Sequence, residues 1–218
     1  RIDCRLDLLG SAKPLKQRAP VHFHTGTAEV EAEVRLLDAT RLSPGGSAYA
    51  RVALRDPVLV LPGDRFIVRM FSPVVTIGGG VVLDTRPPRV DPAERLAVLE
   101  RGSVAEKIAL LVREARYGVG LTELTARTGL PVAELEPLAA LRQPQTWFID
   151  AERLRTLGAR VREALGEFHR SKPLAPGMPK EALRAAVLPE PPKGASYEAP
   201  AFLLDALFGS DVVAEGET

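Results

Sequence analysis

The chain has 218 residues, of which 45% are hydrophobic and 26% charged, and a formal net charge of +1. These are globular values that exclude wholesale disorder, and the length leaves room for two or three small domains. The single cysteine, Cys4, excludes an internal disulfide framework and fits a reducing, cytoplasmic setting.

Charge is unevenly spread. Residues 1–91 hold 13 Lys and Arg against 10 Asp and Glu, whereas residues 92–218 hold 16 against 18. The front half is the mildly basic one, a hint of a polyanionic partner there. No run of about 18 apolar residues occurs, so no membrane span is expected. The chain opens mid-pattern on Arg1-Ile-Asp-Cys4 without a methionine, which reads as a piece of something longer.

The first 85 or so residues favour strands. Arg5 to Leu9 and Val21 to Thr25 alternate in part. Ala28 to Leu36 alternates strictly between apolar and charged residues, the mark of a strand with one buried face. Pro44-Gly45-Gly46 turns the chain into Ser47–Leu54, and Pro62-Gly63-Asp64 turns it into Arg65–Phe71. Gly78-Gly79-Gly80 then opens Val81–Leu83. Several short strands at this spacing predict a barrel.

Pro87, Pro88 and Pro92 mark a change of regime, and residues 87–102 are expected to form a linker. Beyond it the pattern is helical. Val104, Ile108, Leu111, Val112 and Ala115 form one stripe, ended by Gly118 and Gly120. Thr122 is placed as the N-cap of a short helix burying Leu124 and closed by Gly129. Pro131 starts the next helix, with Leu135, Leu138 and Leu141 inward, and Pro137 predicts a kink or early stop in it. Thr146–Ile149 reads as a strand. This order is that of a winged helix-turn-helix. A long Arg-rich helix from Ala151 to His169 follows. Lys180–Val187 and Ala201–Phe208 are two more helices, joined by a loop at Pro189–Pro192. With a strand at Asp211–Ala214 they would make a second winged helix. The domains are therefore 1–86 barrel, 87–102 linker, 103–155 first winged helix and 156–218 second winged helix.

Little here can do chemistry. His22 and His24 share one face of a strand, but a metal site wants a third ligand, and neither a cysteine pair nor an H-E-x-x-H pattern exists. The pair joins more naturally to Lys13, Lys16 and Arg18 as donors for phosphate oxygens; a solvated strand edge is the competing reading. Gly78-Gly79-Gly80 lacks the Lys-Ser/Thr of a phosphate loop and reads as a bulge or a close approach of another backbone. No G-x-S-x-G and no nucleophile–base pair is recognisable. Trp147 is expected in the core beneath the wing rather than as a stacking platform. The presumed recognition helix carries Glu134 and Glu136, the wrong sign for a phosphate backbone, so the first winged helix reads as a spacer or docking module.

Pro14 to Val30, with its Lys16-Gln-Arg18 and His22-Phe-His24, resembles the opening of the third domain of selenocysteine-specific elongation factors. So do Leu61-Pro-Gly-Asp-Arg65 and Thr76-Ile-Gly-Gly-Gly80-Val-Val-Leu-Asp84. Further on, Phe168-His169 and Pro173 to Arg184 resemble the start of that family's second winged helix. The resemblance implies an all-β barrel of the translation-factor type followed by α/β winged-helix domains. It implies selenocysteinyl-tRNA, the ribosome and the factor's own N-terminal GTPase domain as partners, with GTP and magnesium held in that other domain and no cofactor in this chain. The family's mRNA hairpin would be held by further C-terminal modules. By similarity to the related barrel of elongation factor Tu, RNA contacts would fall on Lys13, Lys16, Arg18, His22, His24, Thr25, Thr27, Thr76, Gly78 and Gly79. No G-x-x-x-x-G-K-[S/T] is found, so no GTP hydrolysis is expected of this chain. Two other readings stay open: a scaffold that only docks a GTPase domain, and a winged-helix DNA-binding regulator.

Overall fold

The computed structural model describes residues 1–88, 93–140, 146–188 and 199–208. The chain divides into two compact units: 1–110 with 122–132, and 111–121 with 133–218. This division runs through the segment 103–155 that the sequence assigns to a single winged helix.

In the first unit, six strands close a barrel: β1 (Ile2–Leu8), β3 (Ala19–Thr25), β4 (Ala28–Leu36), β6 (Ser47–Leu54), β7 (Arg65–Arg69) and β8 (Thr76–Asp84), in the order β1-β6-β4-β3-β7-β8. A satellite ribbon pairs β2 (Leu15–Lys16) with β5 (Arg41–Leu42). Closure leaves the barrel strands no free edge. β4 behaves as its alternation predicts: Ala32, Val34 and Leu36 are buried, while Glu31, Glu33 and Arg35 are exposed. Phe23 stacks on Phe66 in the core, 4.8 Å between ring centres, among Leu6, Val21, Val34, Val52 and Val68. Cys4 is fully buried and donates weakly to the Ala50 carbonyl at 3.4 Å; burial pushes its thiol well up from the usual range.

The glycine run does not open a strand but sits inside β8, between β1 and β7. A Cβ on Gly78 would overlap the Asp7 carbonyl oxygen, and one on Gly80 the Arg5 carbonyl oxygen. The close approach that the run signals is thus to the chain's own neighbouring strands. A register shift at Val68/Arg69 supplies the bulge beside it.

The expected linker carries a helix. α1 (Ala93–Arg101) buries Arg95, Leu96 and Leu99 and contacts β1 and β8. Its receptor is the outer face of the barrel, where strand residues that would ordinarily meet water are covered. Tyr49 Oη donates to Glu100 at 2.6 Å, and Arg51 makes a two-pronged contact with Asp3 at 2.7 and 3.0 Å. Sequence pattern showed the prolines but not the partner that holds the next nine residues helical.

α2 (Val104–Glu114) starts in a capping box: Glu106 Oε2 accepts from the Ser103 N–H at 2.7 Å, and Ser103 Oγ accepts from the Glu106 N–H at 3.3 Å. Of the stripe, Ile108, Leu111, Val112 and Ala115 are buried, but Val104 is exposed, because it occupies the first turn. α3 (Leu121–Thr128) begins directly after β9 (Val119–Gly120), so Thr122 lies inside its first turn and is not the cap. Gly129 closes α3 at φ 71°, donating to the Thr125 carbonyl as a C-terminal glycine should. α4 is only Val132–Leu135, and a 3-10 turn at Glu136–Leu138 carries Pro137 in its middle. That is the early stop a mid-helix proline imposes. Leu135 is buried but Leu138 is exposed, since the shortened helix no longer turns it inward; Leu141 lies outside the described residues.

In the second unit, β10 (Trp147–Phe148) pairs with β9 to form a small wing. Trp147 Nε1 donates to the Tyr117 carbonyl at 2.8 Å, and its ring meets Phe202 edge-on. Asp150 caps α5 (Ala151–Ser171), accepting from the N–H groups of Glu152 and Arg153 at 3.1 and 3.0 Å. With α6 (Lys180–Val187) and α7 (Ala201–Leu207), α5 builds a core of Leu157, Val161, Leu183, Val187, Leu203 and Leu204, joined by Tyr117 and Ile149 of the wing. Thus wing and following helices share one core. The expected strand at Asp211–Ala214 and the loop at Pro189–Pro192 fall outside the described residues. Among the described residues no helix is long and apolar enough to cross a membrane.

Candidate nucleic-acid interface

The ten residues singled out by sequence separate into three groups. Lys13, Lys16, Arg18, Thr27 and Thr76 are exposed. Lys13, Lys16 and Arg18 meet no carboxylate at ion-pair distance among the described residues. Lys16 lies directly opposite Arg41 across the β2–β5 ribbon, and Arg41 is exposed and equally unpaired. Like charges facing each other across a strand pair cost stability, so this small ribbon concentrates positive charge without internal compensation. Gln17, pointing the other way, holds the ribbon to the barrel: its side-chain amide donates to the Leu36 and Ala39 carbonyls at 2.9 and 2.8 Å and accepts from the Leu36 N–H at 3.0 Å. Arg18 takes φ 57° to make the turn. Arg41 had no motif around it. Only the register of the ribbon brings it to Lys16.

His22 and His24 form the second group. Both are half-buried on the outer face of β3 and share the carboxylate of Glu29, with Nδ1 of His22 at 3.1 Å and Nδ1 of His24 at 3.8 Å. The His22 ring also rests on Phe71, 4.0 Å between ring centres. One carboxylate thus answers both imidazoles. Among the described residues no cluster of three or more His, Cys, Asp or Glu side chains could hold a metal ion.

Thr25, Gly78 and Gly79 form the third group, whose polar groups face the protein's own strands. Thr25 is buried, and its hydroxyl donates to the Arg65 carbonyl at 3.3 Å. Gly78 and Gly79 stand in β8 with strands paired on both flanks. A backbone committed to two ladders has no spare N–H groups to turn towards a phosphate.

The barrel also exposes apolar side chains. Ile67, Phe71, Val74 and Val75 are all more than a third exposed around the β7–β8 turn, and Leu59 is 91% exposed. Val74 and Val75 lie in that turn beside Phe71, at the end of β7 opposite to the segment that carries Leu59.

A barrel of six antiparallel strands, followed by helix-turn-helix elements with a small wing, defines a translation-factor barrel joined to winged-helix modules. Comparison with known proteins agrees. Residues 3–89 match the family "Selenocysteine-specific elongation factor, beta-barrel domain", and residues 162–215 match "Elongation factor SelB, winged helix". A selenocysteine-specific elongation factor of Desulfomicrobium baculatum is 31% identical over 191 residues, which make up 81% of this chain and 30% of that protein. The crystal structure of a bacterial selenocysteine-specific elongation factor, EF-Sec, covers 94% of this chain and 32% of its own with a TM-score of 0.56 and 19% identity, a likeness of fold. The chain belongs to the selenocysteine-specific elongation factor family. It spans about 30% of the length of the curated relative it matches and corresponds to the barrel and winged-helix portion.

Proposed function

We propose that this portion holds the sugar–phosphate backbone of selenocysteinyl-tRNA on its barrel and uses the winged-helix modules to set reach towards other parts of the translating ribosome, in the cytoplasm. The observation that carries the reading is the uncompensated positive ribbon, Lys16 opposite Arg41 with Lys13 and Arg18 beside it. Double-helical RNA is read through shape, 2′-OH and phosphate, and unpaired exposed cations supply the phosphate part. GTP and magnesium would belong to a GTPase domain of the whole factor, and mRNA-hairpin recognition to further modules.

The test is filter binding of the chain to tRNA across a salt series. Log affinity should fall linearly with log salt, with a slope of roughly −0.7 to −0.9 per phosphate neutralised. Absence of binding at low salt, or a flat response, would refute the reading. A second reading, a barrel that docks on a GTPase domain, is favoured by the exposed Ile67, Phe71, Val74 and Val75. Both can hold, because the apolar and basic surfaces use different residues.

A further inference from the structure

The second unit carries a cleft that the proposed function does not use. Its volume is about 740 Å³, and it is lined by Arg113 and Arg116 from the end of α2, by Asp150, Glu152, Arg153 and Arg160 from the start of α5, and by Tyr117 and Leu157 at its floor. That size suits a ligand, yet binding pockets of such size are ordinarily apolar, and this one presents four guanidinium groups against two carboxylates.

One of those carboxylates is already committed. Asp150 accepts from the first N–H groups of α5. Arg113, Arg116 and Arg160 are exposed and meet no carboxylate at ion-pair distance among the described residues. Arg153 is braced rather than neutralised, since its Nη1 donates to the Arg116 carbonyl at 3.0 Å. The Arg116 guanidinium lies over the Tyr117 ring, 5.1 Å from its centre, with Tyr117 itself buried. A planar guanidinium so placed is pre-oriented for two-pronged contact with phosphate oxygens. The N-terminus of the 21-residue helix α5 opens on the same cleft, where Asp150 already answers its positive end and leaves the arginines to set the sign of the field. Glu134 and Glu136 made the helix-turn-helix look unfit for a polyanion; the basic face lies instead at the α2–α5 corner beside the wing.

We propose that this cleft is a second RNA-backbone site, which grips phosphates of a folded RNA by means of Arg113, Arg116, Arg153 and Arg160. The inference rests on the RNA-handling reading of the chain and extends it from the barrel to the winged-helix unit. It makes the first winged helix a contact module rather than a passive spacer. Sequence-independent binding is expected, since the cleft offers point charges and forks for phosphate and no array of amide side chains to read bases.

The experiment measures fluorescence anisotropy of the whole chain with a labelled RNA duplex of about 20 base pairs across a salt series. Arg113→Glu with Arg160→Glu should weaken binding about tenfold or more at low salt and flatten the salt slope by about 1–2. The neutral pair Arg113→Gln with Arg160→Gln should move both readouts the same way by less. Wild-type affinity in the neutral pair, or displacement of the RNA by poly-glutamate as readily as by unlabelled RNA, would overturn the proposal. A parallel variant, Lys16→Ala with Arg41→Ala, separates the two sites. Loss there alone sinks the cleft and leaves the barrel reading standing; loss in the arginine variants alone does the reverse.

Discussion

Arg127 of α3 donates through Nη2 to Oδ2 of Asp84, at the end of β8, over 2.9 Å, with the two side chains only 2% and 0% exposed. Arg95 of α1 bonds the same oxygen, and its Nη1 lies 3.8 Å from Asp3, which in turn is held by Arg51. One buried network therefore ties barrel, α1 and α3 together within the first unit. Thr85 Oγ1 reinforces it with a bond to the Ala126 carbonyl at 3.3 Å.

Asp84→Asn should destabilise the first unit by about 3–5 kcal/mol, because it leaves buried guanidinium groups without their anion. The effect is pH-dependent with a definite sign. Burial works to raise the Asp84 carboxyl, but the Arg127 hydrogen bond, the charges of Arg127 and Arg95 and the Arg86 N–H together hold it below the usual range. A depressed folded pKa contributes stability that is fully present above the unfolded value of about 3.9 and is lost as pH falls through the folded one. Asp3 runs the other way: burial raises it despite Arg51, so its protonation partly offsets the loss on the acid side. Urea denaturation of parent and variant should show a wide gap at neutral pH that narrows on acidification. A gap that stays constant with pH would disprove the linkage.

The same substitution at two glycines should have opposite signs. In Gly80→Ala the new methyl would overlap the Arg5 carbonyl oxygen and press on Phe66. Neither backbone nor core ring can yield cheaply, and a loss of about 1–3 kcal/mol or more is expected. Gly158→Ala places its methyl in open space within α5 and should gain up to about 1 kcal/mol from helix propensity. Thermal melts decide both. Equal tRNA affinity of folded Gly80→Ala and parent would follow from a glycine run that serves packing; a selective loss of affinity at unchanged stability would return the run to the RNA site.

Lys16→Ala and Arg41→Ala should each weaken tRNA binding and lower the salt slope by about 1. Neither should reduce thermal stability, because each removes half of a like-charge pair that costs rather than contributes. His22→Ala should weaken binding less, since Glu29 already answers that imidazole. A His22 effect larger than that of Lys16 would move the interface from the ribbon to the face of β3.

What the sequence made legible follows from which forces are local. Strict alternation placed β4, Pro137 shortened α4, and Gly129 ended α3, since each of these depends on neighbouring residues alone. The helix in 93–101 and the Arg41–Lys16 juxtaposition were not legible, because both depend on partners distant in the chain. The bond of the Thr25 hydroxyl to Arg65, forty residues away, was hidden for a similar reason. The basic cleft was not legible because its arginines come from the end of α2 and the start of α5, which only the fold brings together.

Asp150 offers a test of the cleft in the direction of gain. Its side chain caps α5 and also places a negative charge among the four arginines. Asparagine caps helices as well as aspartate does, so Asp150→Asn should leave the melting temperature within about a degree or two of the parent while removing that charge. Relieving one solvent-screened carboxylate–phosphate repulsion is worth about 0.5–1 kcal/mol, hence RNA binding should tighten roughly two- to fivefold at low salt and the gain should shrink as salt rises. Asp150→Ala removes the cap as well as the charge, and should cost about 1 kcal/mol of stability while tightening binding comparably. If both variants bind RNA no better than the parent, phosphate does not approach the start of α5, and the arginines there serve solvation alone.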